Sequence, residues 1–185
     1  MPILPDVLAP GLDIVFCGTG AGAWSARVGA YYGKPGNRFW PTLHTVGLTP
    51  RRLDPAEFAS VTAFGLGLTD VAKEHVGQDD AIDLARVDAA ALHAKIAAFA
   101  PLWLAFTSKR AASLALGRPT AAIPYGEQAE RIGASRLFVL TSPSGAATSH
   151  WSIAPWSDLA TRVGRAPRER LIANGRLSKT QEIPA

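Results

Sequence analysis

Three loops rich in glycine, serine and basic residues contain most of the side chains with which this chain could do chemistry. They span residues 18–22, 108–110 and 142–149, and each directly follows a short apolar run. In open α/β sheets, ligands bind beyond the carboxyl ends of the strands, so the three loops predict one pocket at a sheet edge. Each loop taken alone is also compatible with an ordinary tight turn.

The first loop has a second interpretation. Residues 18–23, GTGAGA, fit a G-x-G-x-x-A form of the dinucleotide fingerprint, in which glycines let the backbone approach a pyrophosphate. That fingerprint also requires an acidic residue about 20 positions further on. The sequence has no carboxylate between Asp13 and Asp54. A Rossmann-like nucleotide-binding module is therefore the least favoured of the functional hypotheses.

Two other polar positions could bind a phosphate and a water molecule, respectively. Ser108, Lys109 and Arg110 open a predicted helix, where free backbone N–H groups and two cations would suit a phosphate. Asp70 follows a predicted strand among apolar neighbours, where a carboxylate could activate water. The alternatives are a solvated helix start at 108–110 and a turn cap at Asp70.

Metal and nucleophile chemistry find little support in the residue pattern. The four histidines do not have the sequence spacing typical of metal ligands; they are His44, His75, His93 and His150. The sequence contains no G-x-S-x-G nucleophile elbow. Cys17 lies inside a predicted strand, where a cysteine usually acts as a small apolar residue. We therefore expect no metal site.

Alternating strand and helix patterns predict the scaffold that must position these residues. Four continuous apolar runs indicate buried strands of a mainly parallel sheet, at residues 13–17, 63–68, 102–106 and 137–140. Asp54-Pro55 marks one helix start, and further helical patterns lie at 37–46, 88–99, 108–116 and from 152 or 155 to 163. This alternation predicts an α/β layered fold.

The composition is that of one folded domain. The chain has 185 residues, of which 48% are hydrophobic and 18% charged, with a net charge of +4. This balance argues against disorder, and no apolar run is long enough to predict a membrane span. A single cysteine and the lack of a secretory-signal pattern lead us to expect a cytoplasmic protein. Residues 1–164 are the predicted domain, and residues 165–185 a basic, loosely structured tail.

Four sequence blocks occur in a fixed order along the chain. They are LAPGLDIVFCG at 8–18, KPGNRFW at 34–40, GLGLTD at 65–70 and SPSG at 142–145. Together these blocks resemble the mismatch-specific uracil-DNA glycosylase and thymine-DNA glycosylase family of the uracil-DNA glycosylase superfamily. The resemblance covers residues 8–163, and PGNRFW after a glycine-rich strand end is its most specific part.

The resemblance implies a three-layer αβα sandwich with a short, mainly parallel, four-stranded central sheet. It also implies a monomer that flips a deaminated or mismatched base out of DNA and cuts it from its sugar, with no cofactor or metal. Such chemistry requires a ring that stacks on the base, polar groups that read its edge and groups that hold phosphates.

The same resemblance implies roles for individual residues. Tyr32 takes the position of the stacking ring, and the other base-pocket positions are Gly18, Thr19, Gly20, Ser25, Asn37 and Ser142. The expected DNA-binding positions are Ser108 and Lys109 at a phosphate-contacting helix start, and Ser144, Gly145 and Ala146 in the loop that enters the duplex.

Two departures from the family pattern concern catalysis and the grip on DNA. The family's first motif is typically Gly-Ile-Asn-Pro-Gly, whose Asn positions the attacking water, and Gly20 occupies the place of that Asn. The bulky wedge after Pro-Ser-Gly is reduced to Ala146, which fits a preference for single strands or easily opened mismatches. We hypothesise that Asp70 replaces the missing Asn and activates water.

The resulting hypothesis is a DNA glycosylase for deaminated bases. Uracil is the foremost substrate, and xanthine, hypoxanthine and 5-substituted uracils remain open. The alternative is a catalytically impaired, lesion-binding protein that kept the pocket and lost cleavage. Gly20 favours the alternative, whereas Asp70 and Tyr32 favour the glycosylase.

Overall fold

A computed structural model describes residues 1–77, 82–84 and 87–165 of the chain. This part contains a five-stranded sheet with helices packed on both of its faces. The α/β layered fold that we expected from the sequence is therefore confirmed. The predicted basic tail lies outside the described residues, apart from residue 165.

Five strands form the sheet, and their bounds are β1 Ile14–Gly18, β2 Leu66–Asp70, β3 Trp103–Phe106, β4 Gly126–Ile132 and β5 Ser135–Val139. Their order in the sheet is β2-β1-β3-β5-β4. All neighbours are parallel except the edge strand β4, which runs antiparallel to β5. The sheet is therefore mainly parallel, as predicted.

The predicted number of four strands is wrong, because β4 is a fifth. Its sequence is GEQAERI, and most of its side chains are exposed. A polar strand at a sheet edge lacks the continuous apolar run that identified the other four strands. Only the strands buried on both faces could be predicted in this way.

Helices connect the strands in the described part of the chain. The α-helices are α1 Ala23–Val28, α2 Phe39–Thr45, α3 Ala89–Phe99, α4 Lys109–Leu116 and α5 Ala154–Arg162. A short 3₁₀ turn spans Thr120–Ala122. A longer 3₁₀ helix spans Pro55–Phe64 and ends at Gly65, whose φ of 75° favours glycine. This longer helix occupies the start of the predicted second strand, so β2 lies further along the chain and ends on Asp70.

Successive strand residues face two separate halves of the core. Phe16, Leu68 and Phe138 face α2 and α5, whereas Cys17 and Phe106 face α3 and α4. Almost all strand side chains of β1, β2, β3 and β5 are buried, because helices cover both faces. This packing explains the continuous apolar runs in the sequence.

The strand register brings the polar strand ends to one edge of the sheet. Gly18 pairs with Asp70, Cys17 with Phe106, and Phe106 with Val139. The residues that follow these strands therefore begin at the same level. They form the rim on which the site is built.

Asp6 connects the amino-terminal segment to the sheet and to α3. Its carboxylate accepts a hydrogen bond of 2.7 Å from Thr69 Oγ1, lies 3.0 Å from Lys73 Nζ and forms an ion pair with Lys95. Burial alone would raise the pKa of Asp6, but hydrogen bonds from Lys95 and Thr69 and the charge of Lys73 outweigh it. The pKa of Asp6 is therefore below its ordinary value of 3.8.

We expect Asp6→Asn to lower the free energy of unfolding by about 1–3 kcal/mol near pH 7, since Lys95 and Lys73 each lose the ion pair with this carboxylate. A lowered pKa gives a contribution that is present above pH 3.8 and is lost as the pH falls through the folded-state pKa. The difference from wild type should therefore shrink in acid. Urea unfolding at several pH values measures it.

The control for this prediction is Asp158→Asn, which removes an exposed ion pair with Arg162. It should change the free energy of unfolding by no more than about 0.5 kcal/mol. A difference for Asp6→Asn that stays constant down to about pH 3, or that matches the control near pH 7, would contradict the proposed network.

Candidate active site

A cavity of about 640 Å³ opens at the carboxyl edge of the sheet. Its wall comes from the segments that follow β1, β3 and β5 and from the end of β2. Most of the predicted site residues line it, namely Gly18, Thr19, Gly20, Ser25, Tyr32, Asn37, Asp70, Ser108, Ser142, Ser144 and Ala146. Lys109 and Gly145 do not line it.

Asp70 is a buried carboxylate in the wall of the cavity, with 5% of its surface exposed. It is the last residue of β2 and the register partner of Gly18 on β1. A Cβ at Gly18 would collide with Asp70 Oδ1 and would lie 3.3 Å from Tyr32 Oη. A side chain at position 18 would therefore displace the Asp70 carboxylate or the Tyr32 hydroxyl.

The negative charge of Asp70 is balanced by Lys73, which is not part of the cavity wall. Lys73 Nζ lies 3.9 Å from Asp70 Oδ2 and donates a hydrogen bond of 2.8 Å to Tyr31 Oη. It also forms the ion pair with Asp6 described above. A buried carboxylate requires such a partner, and this one belongs to a larger network of alternating charges.

Two neighbouring groups are kept protonated. Burial first, and then the charge of Asp70, raise the pKa of the Tyr31 hydroxyl, which is part of the cavity wall. The same two causes raise the pKa of the Cys17 thiol well above its ordinary value. Because the nucleophilic form of cysteine is the thiolate, Cys17 is a core residue here.

Tyr32 presents an aromatic ring to the cavity from a strained backbone. Its φ of 53° lies in the left-handed region, which costs free energy for a residue with a side chain. Phe39 of α2 stacks on its ring, with centroids 3.8 Å apart and planes 15° apart. Its hydroxyl lies 3.3 Å from Thr107 Oγ1. The ring is thus held in a fixed orientation on the wall.

Gly20 stands where space for a side chain is limited. A Cβ there would lie 3.1 Å from the carbonyl oxygen of Ala72 and 3.4 Å from Cδ2 of His75. These contacts are tighter than a Cβ normally makes, so any larger residue requires the segment 72–75 to shift. Ala72 and His75, which follow β2, are packed into the space beside this glycine.

Several of the predicted pocket residues make local structural hydrogen bonds. Ser25 Oγ accepts from the Gly33 N–H at 3.1 Å, and Asn37 Oδ1 accepts from the Phe39 N–H at 2.9 Å at the start of α2. Ser108 Oγ caps α4 by accepting from the Ala111 N–H at 3.0 Å. Ser108 therefore caps α4, whereas Ser25 and Asn37 fix the backbone between α1 and α2.

The loop at residues 142–147 is tied to the start of α2 by Arg38. The Arg38 backbone N–H donates to the Pro143 carbonyl at 2.8 Å, and its Nη1 donates to the Ser144 carbonyl at 2.9 Å. A Cβ at Gly145 would lie 3.2 Å from the Gly36 carbonyl oxygen, so glycine permits this close packing. Sequence reasoning gave Arg38 no such role.

Lys109 is directed away from the cavity. Its Nζ lies 4.6 Å from the ring centroid of Tyr125, an arrangement typical of a cation–π interaction. Conversely, the cavity wall includes residues to which the sequence analysis assigned no function, notably Trp24, Tyr31, Lys34 and Thr107. Lys34 could have been predicted, because it belongs to the KPGNRFW block. Trp24 lies in the short helix α1, which no sequence pattern indicated.

The described residues contain neither a metal-binding cluster nor a membrane-spanning helix. Within residues 1–77, 82–84 and 87–165, no three His, Cys, Asp or Glu side chains are grouped to hold a metal ion. In the same ranges, none of the helices has the length and apolarity needed to cross a bilayer.

Comparison with known proteins identifies the family. The sequence profile of the Uracil DNA glycosylase superfamily matches residues 5–160. A solution NMR structure of a candidate uracil DNA glycosylase from Methanosarcina acetivorans is similar in fold, with a TM-score of 0.58 and 18% identity. The similarity covers 87% of this chain and 96% of that one. The chain belongs to the uracil DNA glycosylase superfamily.

We expect Gly18→Ala to destabilise the protein by about 1–3 kcal/mol, because the added Cβ displaces Asp70 or Tyr32 from a packed position. Urea unfolding measures the change. Gly22→Ala is the matched control, since a Cβ at position 22 would meet nothing within 4 Å and its φ is −60°. Equal, small effects of the two substitutions would show that the Gly18–Asp70 approach does not constrain the site.

Proposed function

We propose that this chain is a monofunctional DNA glycosylase that flips out uracil or another deaminated base and hydrolyses its N-glycosidic bond. The observation that carries the proposal is the buried Asp70 carboxylate in a cavity walled by Tyr32, in a member of the uracil DNA glycosylase superfamily. The cavity volume is within the range of small-molecule sites.

The wall of the cavity matches the chemistry of an extruded base. Tyr32, supported by Phe39, offers a ring face on which the base can stack. Thr19, Ser25 and Ser142 provide polar groups at the same wall for the edge of the base. We assign to Ser108, Ser144 and Ala146, at the mouth, contact with the DNA strand that carries the base.

We assign to Asp70 the activation of the water molecule that attacks the sugar. The bond between C1′ of the sugar and the base nitrogen breaks, and its electron pair leaves with the base. The sugar then carries positive charge, which the Asp70 carboxylate stabilises. The water oxygen bonds to C1′ while Asp70 accepts one water proton, which it afterwards releases to solvent. The base anion takes up one proton from solvent, so the products are the free base and an abasic sugar with a hydroxyl group.

Asp70 has this task because position 20 holds no side chain. The related motif carries an Asn there for the water, and the KPGNRFW segment supports a position of this chain near the mismatch-specific and thymine-DNA glycosylases. In this chain the neighbouring strand supplies the polar group instead, from the register partner of Gly18. Lys73 offsets the buried charge that this substitution introduces.

A lesion-binding protein without cleavage is the second candidate, and Gly20 is the observation that favours it. Such a protein would need the cavity and Tyr32 but not a water-activating group. It would bind uracil-containing DNA and leave the glycosidic bond intact.

We expect Asp70→Asn and Asp70→Ala to lower the rate of uracil release by roughly 100-fold or more, the usual loss on removal of a general base. The measurement is strand cleavage by alkali after incubation with uracil-containing single-stranded and mismatched DNA. Both variants should still bind the substrate, since Tyr32 and the cavity mouth remain.

The matched control for this experiment is Asp13→Asn. It makes the same chemical change just before the amino end of β1, where Asp13 is half-exposed and distant from the cavity. Near-native release by both Asp70 variants would exclude the catalytic role. Binding without any release by the wild type would favour the second candidate.

A further inference from the structure

The wall of the cavity includes an exposed indole that the proposed reaction does not use. Trp24, in the first turn of α1, lines the cavity and has 40% of its surface exposed. The guanidinium carbon of Arg27 lies 4.0 Å from the centroid of the indole, so one face of the ring is covered by a cation. The side chain is therefore held in place while a large part of it stays in water.

Trp24 differs from the other tryptophans of the chain. Trp40, Trp103 and Trp156 are almost fully buried, and Trp40 and Trp156 donate hydrogen bonds from their indole N–H to backbone carbonyls. Trp151 is half-buried and lies against Trp156. These four contribute to the core or its margin, whereas Trp24 covers no comparable part of it.

The position of Trp24 distinguishes it from other exposed aromatic side chains. Tyr125 is 42% exposed and also has a cation over its ring, from Lys109, but it is not part of the cavity wall. Exposure and a cationic neighbour are therefore not specific in themselves. Trp24 combines both with a place in the wall of the cavity that receives the extruded base.

The charge of this part of the chain suits a nucleic acid strand. Residues 14–53 contain no Asp or Glu, and they contain five Arg or Lys residues. Four of these, Arg27, Lys34, Arg51 and Arg52, are exposed, and Lys34 is also part of the cavity wall. Cations beside an aromatic ring are the combination by which proteins hold single-stranded DNA, through phosphates and stacked bases.

The loop at residues 142–147 has no large side chain to replace a flipped base. Ala146 and Ala147 line the cavity, and Ala146 is exposed. A methyl group cannot fill the gap left in a duplex, so opening a base pair is poorly compensated here. An unpaired strand requires no such compensation, and its neighbouring bases are available to stack.

We propose that Trp24 is a stacking site for the base next to the extruded one, and that single-stranded DNA is consequently the substrate class this protein takes best. The proposal rests on the proposed function for its extruded base. Stacking on an indole is tolerant of sequence, because every base has an aromatic face. Arg27 holds the indole and adds attraction for the adjacent phosphate.

The test measures binding without catalysis. The probe is a fluorescein-labelled, ten-nucleotide single-stranded DNA of mixed sequence without uracil, and the readout is fluorescence anisotropy. Trp24→Leu, which keeps apolar bulk but removes the ring, should raise Kd by roughly tenfold. Trp24→Phe should retain most of the affinity. Binding of a matched duplex should change by less than about twofold, since its bases are already stacked.

A second measurement connects the stacking site to the reaction. The ratio of kcat/KM for uracil release from single-stranded over double-stranded DNA should fall in Trp24→Leu by about the same factor as the affinity. Leu102→Ala is the control, because it removes a similarly exposed apolar side chain that precedes β3, at the other end of the sheet. It should alter neither value.

The outcomes separate this proposal from the proposed function. Unchanged single-strand binding in Trp24→Leu, or an equal loss for single strand and duplex, would overturn the stacking site even if uracil release is normal. A selective loss of single-strand binding would support it even if the wild type releases no uracil, in which case the glycosylase proposal fails alone.

Discussion

The close approach of Gly18 and Asp70 across two parallel strands is the constraint on which the site depends. A Cβ at position 18 would collide with the Asp70 carboxylate and crowd the Tyr32 hydroxyl. The register of β1 and β2 makes these two residues partners, and Lys73 compensates the buried charge. The cavity thus takes its buried carboxylate from the sheet itself, at the last residue of β2.

The sequence was sufficient to predict the parts of the fold that are buried on both faces. β1, β3 and the end of β5 are continuously apolar because helices cover both sides of the sheet. β2 ends on Thr69 and Asp70, and its start was predicted three residues too early. β4 could not be predicted, since an edge strand with exposed polar residues has no apolar pattern. α1 was missed because it has only six residues and its N-cap, Gly22, has no side chain that could mark a helix start. Because α1 was not predicted, Trp24 was not predicted to line the site either.

The location of the candidate site could be predicted from the sequence, but the contacts of its side chains could not. Strand ends in a parallel sheet meet at one edge, which is why most of the expected residues line one cavity. Side-chain directions depend on neighbours that are distant in sequence. Lys109 turns towards Tyr125, and the Asn37 side chain bonds to the backbone of its own helix start. Arg38 donates a hydrogen bond to the loop at residues 142–147, which begins more than a hundred residues later in the sequence.

Chemical rescue of an Asp70 variant tests whether this carboxylate activates the water. In Asp70→Ala the cavity loses its carboxylate, and added formate is small enough to take its place. The account predicts that single-turnover release of uracil by Asp70→Ala is slow, rises with formate concentration, and is insensitive to formate in the wild type. Release by Asp70→Ala at the wild-type rate without formate would contradict it, because the water would then be activated by another group.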